Sequence, residues 1–229
     1  MRHFNKFFPV IAAVAAGPLF AAHADTLADW TFETSQPATA GPYSPEIGSG
    51  SASGLHASGA TAYSTPSGNG STHSYSANTW AIGDYFQFST STLGYSSVTL
   101  AYDQTSSNTG PGAFALGYST DGVNFTYLPA YTVLANAAPN TGWNPTTYNP
   151  AFNFTDDLSS ITALNGDATV YLRLMDSSTV SANGGTVATG GTDRVDNFII
   201  SAQPVPEPAS IALATLGGLS LLMRRNRRA

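Results

Sequence analysis

The chain lacks cysteine, and only 10% of its 229 residues are charged. Without cysteine it has no disulfide scaffold, no Cys-ligated zinc site, no iron–sulfur centre and no thiol nucleophile. Basic residues are scarce, and six of the eight lie near the termini: Arg2, Lys6, Arg224, Arg225, Arg227 and Arg228. Only Arg173 and Arg194 lie between them. Because binding to nucleic acid requires clustered Lys and Arg, we expect no nucleic-acid partner for the central region.

Sequence motifs for catalysis are also missing. The chain has no Gly-x-Ser-x-Gly elbow, no His-Glu-x-x-His motif and no phosphate-binding loop. Glycosidases need two facing carboxylates, and the adjacent Asp156 and Asp157 are instead expected to begin a short helix. His56 and His73 are expected to be solvated loop residues. We therefore predict that the protein is not an enzyme, and a polysaccharide-active hydrolase is the least favoured alternative.

The N-terminal segment is typical of a secretory signal. Two basic residues near the start precede an apolar run over residues 7–22. Ala22 and Ala24 then form the small-x-small pattern that signal peptidase accepts. These features predict a signal peptide over residues 1–24, which is helical and is removed by signal peptidase immediately before Asp25.

The C-terminal segment, residues 204–229, has three parts in a fixed order. It starts with a short polar motif made of Val205, Pro206, Glu207 and Pro208. An apolar run over residues 209–223 follows, and since a spanning helix usually needs about 20 apolar residues, it predicts a short transmembrane helix. The run ends in a basic cluster formed by Arg224, Arg225, Arg227 and Arg228. The positive-inside rule keeps this cluster cytoplasmic and places the preceding chain outside the membrane.

This tripartite tail resembles the PEP-CTERM protein-sorting signal of Gram-negative bacteria, over residues 204–228. The resemblance implies transient anchoring in the inner membrane and recognition by an exosortase, a membrane-embedded enzyme that cleaves near the Pro-Glu-Pro motif. It further implies release or transfer to the cell surface, in association with exopolysaccharide and biofilm matrix. Pro206, Glu207 and Pro208 are then recognised by another enzyme's active site and are not catalytic themselves.

Residues 25–203, between the two terminal segments, are expected to form one domain. Short runs of alternating apolar residues are separated by turn-rich segments, which predicts an all-β protein with a single antiparallel β-sandwich. The predicted strands cover residues 27–33, 80–90, 98–104, 113–119, 125–134, 168–176 and 194–202. Two segments poor in apolar residues, 37–79 and 177–192, are predicted to be long loops or edge segments.

The order of motifs in this domain resembles secreted jelly-roll modules of the galactose-binding-like or concanavalin-like kind. The resemblance rests on Trp30-Thr31-Phe32-Glu33, on residues 118–125 and on residues 194–200. Many such modules hold a structural Ca²⁺ between acidic residues on the first and last strands, and Glu33 and Asp196 occupy the matching places. Alternatively, Glu33 caps an edge, and Asp196 pairs with Arg194 or accepts hydrogen bonds from backbone amides.

Two functions are compatible with these features. The favoured one is a non-enzymatic, exported protein of the cell surface or extracellular matrix. The alternative is a carbohydrate-binding module, because Tyr and Trp side chains stack against sugar rings. The aromatic residues in loop-like segments are Tyr43, Tyr63, Tyr75, Trp143 and Tyr148. These side chains could equally cover the core beneath the loops.

Overall fold

Two antiparallel sheets, packed face to face, account for residues 23–205, the part of the chain that the computed structural model describes. The prediction of an all-β sandwich is therefore confirmed. Within residues 23–205 no helix has the length and hydropathy to cross a membrane. The predicted signal helix, the helix over 209–223 and the motif from Pro206 onward lie outside the described residues, so the division of the chain at 24 and 204 stays a prediction.

Most strands are short, but two strands of the first sheet are each twelve residues long. In chain order they are β1 (Asp25–Trp30), β2 (Ile47–Gly48), β3 (Ser51–Leu55), β4 (Tyr63–Ser64), β5 (Tyr75–Ala77), β6 (Tyr85–Thr90), β7 (Tyr95–Ser106), β8 (Ala113–Ser119), β9 (Thr126–Tyr127), β10 (Tyr131–Thr132), β11 (Asn153–Asp157), β12 (Val170–Asp176) and β13 (Asp193–Pro204). Two single-turn 3₁₀ helices cover Pro150–Phe152 and Thr162–Leu164.

The first sheet has the order β11-β7-β13-β1-β2, with β5 also paired to β13 and β4 to β5. The second sheet has the order β10-β8-β12-β6-β3, with β9 paired to β8. In the first sheet the first and last strands, β1 and β13, are antiparallel neighbours. This pairing brings the chain segments that follow Trp30 and precede Phe198 to the same end of the sandwich, because Trp30 lies opposite Phe198.

The core between the sheets contains many aromatic side chains. Phe88 of the second sheet stacks on Phe198 of the first, with ring centroids 3.6 Å apart and planes 4° apart. Trp30 meets Phe88 edge-on at 5.3 Å, and all three side chains are fully buried. Aromatic side chains bury large apolar areas and gain from such stacked and edge-on contacts. In a chain without disulfides, this cluster joins the two sheets.

Several predicted boundaries are wrong, for identifiable reasons. Residues 37–79 are not one long loop: they contain four strands, and β3 pairs with β6 through five residues. Since β2 and β3 lie at the edges of the two sheets, the alternative of edge segments describes them, but the strands themselves were not predicted because β3 consists mostly of Ser, Ala and Gly. The predicted strand over 125–134 is divided into β9 and β10, which flank Pro129. Asp156 and Asp157 do not begin a helix: they end β11, which pairs with β7.

Candidate functional site

Glu33 and Asp196 contact the same loop, residues 68–73. Asp196 is fully buried on β13, and its Oδ2 accepts hydrogen bonds from the Asn69 amide at 2.9 Å and the Ser71 hydroxyl at 2.6 Å. Glu33 follows β1, and its Oε1 accepts a hydrogen bond from the His73 amide at 2.7 Å. The pairing of β1 with β13 thus places both carboxylates beside one loop, where β1 ends and before β5 begins to pair with β13.

Oxygen atoms converge where Gly68 has no side chain. A Cβ at this position would collide with the Ser71 hydroxyl, the Asp196 carboxylate and the His73 carbonyl. Carboxylate, hydroxyl and carbonyl oxygens are ligands that Ca²⁺ accepts. No group of three or more His, Asp or Glu side chains within residues 23–205 is placed to hold a metal. A cation at this loop would therefore need backbone or hydroxyl oxygens besides the two carboxylates.

A second buried carboxylate lies next to Asp196. The Asn197 side-chain amide donates to Asp103 Oδ2 at 2.9 Å and to Asp196 Oδ2 at 3.2 Å, so it bridges the two acids. Burial raises the pKa of Asp196 to about 7, and hydrogen bonds from Ser71 and Asn69 partly oppose this rise. Burial also raises the pKa of Asp103. Two neighbouring carboxylates removed from water favour either a proton or a cation between them.

Arg194 does not neutralise Asp196 in the described part of the chain. Its guanidinium donates instead to the Ser67 carbonyl at 3.1 Å. Asp196 accepts hydrogen bonds from the backbone amides of Asn69 and Asn197. Of the alternative interpretations of Asp196, the contacts with backbone amides are therefore observed and the ion pair with Arg194 is not.

Most of the aromatic residues considered as sugar-binding candidates belong to the core. Tyr75 is fully buried, Trp143 is buried, and Tyr43 and Tyr63 pack against the core cluster. Only Tyr148 is substantially exposed, at 50%. The interpretation that loop aromatics cover the core therefore describes four of the five residues.

A different aromatic cluster lies on the outer face of the second sheet, and the sequence analysis did not single it out. The Arg173 guanidinium carbon lies 3.9 Å from the centroid of the Tyr85 ring and 3.6 Å from that of Phe125. Its Nε donates to Gln87 Oε1 at 2.8 Å. The alternation in β12 could have placed Arg173 on this face, since its neighbours Leu172 and Leu174 are fully buried. We call Tyr85, Gln87, Phe125 and Arg173 the arginine cluster.

The histidines are less exposed than expected, and the prediction of solvated loop residues is wrong for His56. Its ring packs 4.3 Å from Trp80, and its Nδ1 lies 3.5 Å from Asp84 Oδ2, with 1% of the side chain exposed. Burial lowers the pKa of His56, although the nearby Asp84 opposes this effect. A ring buried in this way is not available to a substrate as it stands.

Residues 204–228 match the PEP-CTERM protein-sorting motif. The resemblance of the tail is therefore confirmed, and the motif indicates exosortase-sorted export with a surface or extracellular location. The matched segment begins at Pro204, which is also the last residue of β13, so the motif starts at the end of the sandwich. A search of curated proteins found no match.

Solved structures similar to this chain include adhesin and carbohydrate-binding domains. The K2 cleaved adhesin domain of Lys-gingipain is 16% identical, with 78% of this chain and 97% of that chain covered and a TM-score of 0.43. The CBM22-1–GH10 modules of a Clostridium thermocellum xylanase with xylohexaose are 12% identical, with 80% of this chain and 29% of that chain covered and a TM-score of 0.44. Caldicellulosiruptor saccharolyticus CBM27-1 with mannohexaose is 12% identical, with 79% of this chain and 97% of that chain covered and a TM-score of 0.37. Identities this low transfer neither a ligand nor an activity.

Proposed function

We propose that the protein is a non-enzymatic component of the cell surface or extracellular matrix of a Gram-negative bacterium. Signal peptidase removes residues 1–24, and the segment over 209–223 holds the chain transiently in the inner membrane. An exosortase then cleaves near Pro206–Pro208, and the sandwich is displayed or released in association with exopolysaccharide. The observation that carries this proposal is the sorting motif matched over residues 204–228.

The end of the fold is compatible with such processing. Pro204 is the last residue of β13 and lies opposite Tyr95, and the Val205 amide donates to the Gly94 carbonyl at 2.8 Å. The last backbone contact described therefore precedes Pro206 directly. Cleavage within the Pro-Glu-Pro motif would leave every strand of both sheets intact.

Mapping of the mature C-terminus by mass spectrometry tests this route. Protein from cells with an exosortase should end near the Pro-Glu-Pro motif, and protein from exosortase-deficient cells should retain Ala229. Glu207→Ala should reproduce the uncleaved product in normal cells, while Asp157→Ala, which lies outside the motif, should be processed normally. A C-terminus at Ala229 in both kinds of cell would contradict exosortase sorting.

The burial of five aspartates supports a non-enzymatic role. Asp84, Asp103, Asp176, Asp193 and Asp196 are all at most 2% exposed. Asp193, for example, accepts hydrogen bonds from Gln104 at 2.9 Å and Ser106 at 2.9 Å and so serves the packing of β7 against β13. Carboxylates used in this way hold strands together and do not face a substrate.

The loop over 68–73 is proposed as a structural Ca²⁺ site. Glu33, Asp196 and the oxygens of Ser71 and His73 would hold the ion. It would supply a positive charge beside buried carboxylates and would tie the loop to β1 and β13. Thermal unfolding in Ca²⁺ and in EDTA tests the site, with Asp196→Asn as the variant and the exposed Asp157→Asn as the control. Equal melting temperatures of the unmodified protein in the two buffers would exclude it.

The arginine cluster favours a polysaccharide as the partner in the matrix. Aromatic rings and hydrogen-bonding side chains on one sheet face are the groups that contact sugar rings and hydroxyls. Affinity electrophoresis of the full chain through gels with and without embedded polysaccharides measures such binding. Retardation by at least one polysaccharide is expected, and unchanged mobility in all of them would contradict this part of the proposal.

A further inference from the structure

The arginine cluster holds its cation in a defined plane on the outer face of the second sheet. Arg173 is half-buried between the fully buried Leu172 and Leu174, and it lies opposite Gln87 on β6 and Gly117 on β8. Tyr85 and Phe125 both contact the guanidinium, at 3.9 and 3.6 Å from their ring centroids. Two aromatic contacts and the hydrogen bond to Gln87 restrict the motion of a side chain that is ordinarily flexible.

The charge of Arg173 is not matched by an acid. Thirteen Asp and Glu residues against two Arg give residues 25–203 a formal charge of −11. Yet in the part of the chain that the structure describes, no carboxylate forms an ion pair with Arg173 within 4.0 Å. The acid in the nearby turn, Asp121, accepts hydrogen bonds from Val123 and Asn124 at 2.8 Å each. The cation of the cluster is thus left for a group outside the domain.

The hydrogen-bond donors that remain on Arg173 define the chemistry of that group. Nε is engaged by Gln87, which leaves the two terminal NH₂ groups of the guanidinium. A guanidinium held in one plane binds a carboxylate through two parallel hydrogen bonds, and such bonds are stronger than those to neutral oxygens. A hydroxyl would not use this charge, so the cluster favours an anionic sugar over a neutral one.

An aromatic surface continues beside the cation. Tyr127 is 37% exposed, and its ring covers the backbone of β8 at Gly117, where a Cβ would lie 2.5 Å from the ring. The absence of a side chain at Gly117 therefore allows the ring to lie flat against the sheet. A pyranose ring whose carboxylate reached Arg173 would have this ring and that of Phe125 as stacking partners.

We propose that the arginine cluster and the adjacent Tyr127 form a subsite for a uronic acid unit of an acidic polysaccharide. This inference rests on the proposed association with polysaccharide and adds the charge class and the residues. Arg173 binds the sugar carboxylate, Tyr127 and Phe125 contact the ring, and Gln87 and Tyr85 position the guanidinium. The acidic domain repels a polyanion at long range, but at physiological salt the Debye length of about 8 Å limits this repulsion.

Affinity electrophoresis and calorimetry of the full chain in detergent, with polygalacturonate and its carboxyl-reduced form, test the inference. We expect at least tenfold tighter binding to polygalacturonate than to the reduced polymer. Arg173→Gln should lose that preference, and Arg173→Lys should recover only part of it because a lysine lacks the planar fork. Val123→Ala, at a residue that is 79% exposed, is the control that should bind normally.

The outcomes separate the inference from the proposed function. Equal binding to both polymers, unaffected by Arg173→Gln, would overturn the uronate subsite and leave the association with polysaccharide intact. Binding to no polysaccharide at all would overturn both. If near-ultraviolet circular dichroism shows that Arg173→Gln does not fold, two other measurements still test the uronate subsite. These are the comparison of the two polymers with unmodified protein, and the loss of binding in Tyr127→Ser.

Discussion

The loop beside Asp196 and the arginine cluster hold charge in opposite ways. Asp196 and Asp103 are acids buried beside each other, without a cation in the described residues, and amides and hydroxyls satisfy them. Arg173 is a cation on a sheet face that pairs with no acid of residues 23–205, and two aromatic rings contact it. Buried acids that lack a cation add to the cost of folding, whereas a half-exposed cation costs little. The first region therefore governs stability, and the second is available for binding.

The largest effect is expected at Gly68, where the first region has no room. In Gly68→Val the added side chain would collide with Asp196, Ser71 and the His73 carbonyl. Overpacking of this kind typically costs about 1–3 kcal/mol, and we expect the upper end, measured by urea unfolding. Gly190→Ala is the control, because nothing lies within 4 Å of that position. A Gly68→Val protein as stable as its parent would show that the loop is not packed against Asp196.

A smaller effect on the free energy of unfolding is expected from a change in pH, because the domain contains other buried acids. Burial raises the pKa of Asp176 to about 6, from about 3.9 in the unfolded chain. The folded state therefore binds the proton more tightly. The stabilisation that proton binding to Asp176 gives the folded state is complete below pH of about 4 and is lost as the pH rises through about 6. Asp176→Asn should reduce this loss by about 2 kcal/mol, as measured by urea unfolding between pH 4 and 8.

Asp157→Asn serves as the control for this titration. Asp157 lies at the exposed end of β11, and a hydrogen bond from Ser159 lowers its pKa, so its substitution should leave the slope between pH 5 and 8 unchanged. A pH dependence that is identical in Asp176→Asn and the parent would show that Asp176 does not titrate in this range. In that case the buried Asp176 would not affect stability through its protonation, and this part of the contrast with Arg173 would be lost.

The smallest effect on stability is expected in the arginine cluster itself. Phe125→Ala removes one of the two rings that contact Arg173, and we expect a loss of about 1 kcal/mol in thermal or urea unfolding. Binding to polygalacturonate should fall several-fold in the same variant. Val123→Ala, in the same turn, should change neither quantity. A loss of stability in Phe125→Ala as large as that in Gly68→Val would mean that the cluster is a structural support.

Strand prediction succeeded where apolar residues alternate and failed where small or acidic residues form strands. β8 has the predicted bounds, because Phe114 and Leu116 are buried on one face of it. The one large side chain of β3 is the exposed Leu55, and its Gly54 gives space to Tyr63, whose ring would lie 2.6 Å from a Cβ there. β11 is an edge strand of alternating exposed and half-buried residues, so its acids are tolerated in a sheet. The alternation of apolar residues and the β-propensity of single residues do not identify strands such as β3 and β11, whose residues suit their neighbours in the folded sheet.

The candidate sites divide in the same manner. Glu33 and Asp196 could be named from a resemblance, but the loop that joins them could not, since Asn69 and Asp196 lie far apart in the chain. The alternation in β12 would have marked Arg173 as an outward residue, although the sequence analysis did not use it. Its contacts with Tyr85 on β6 and with Phe125 beyond β8 come from two other parts of the sheet.

The sequence by itself determined the basic ends, the sorting motif over 204–228, the acidic central domain and the all-β class. These properties are local: a run, a motif or a period of two can be read from neighbouring residues. Only the tertiary structure decided that two carboxylates meet one loop and that one arginine lies between two rings. Such contacts depend on strand order and register, and these are set when the two sheets bury a common aromatic core.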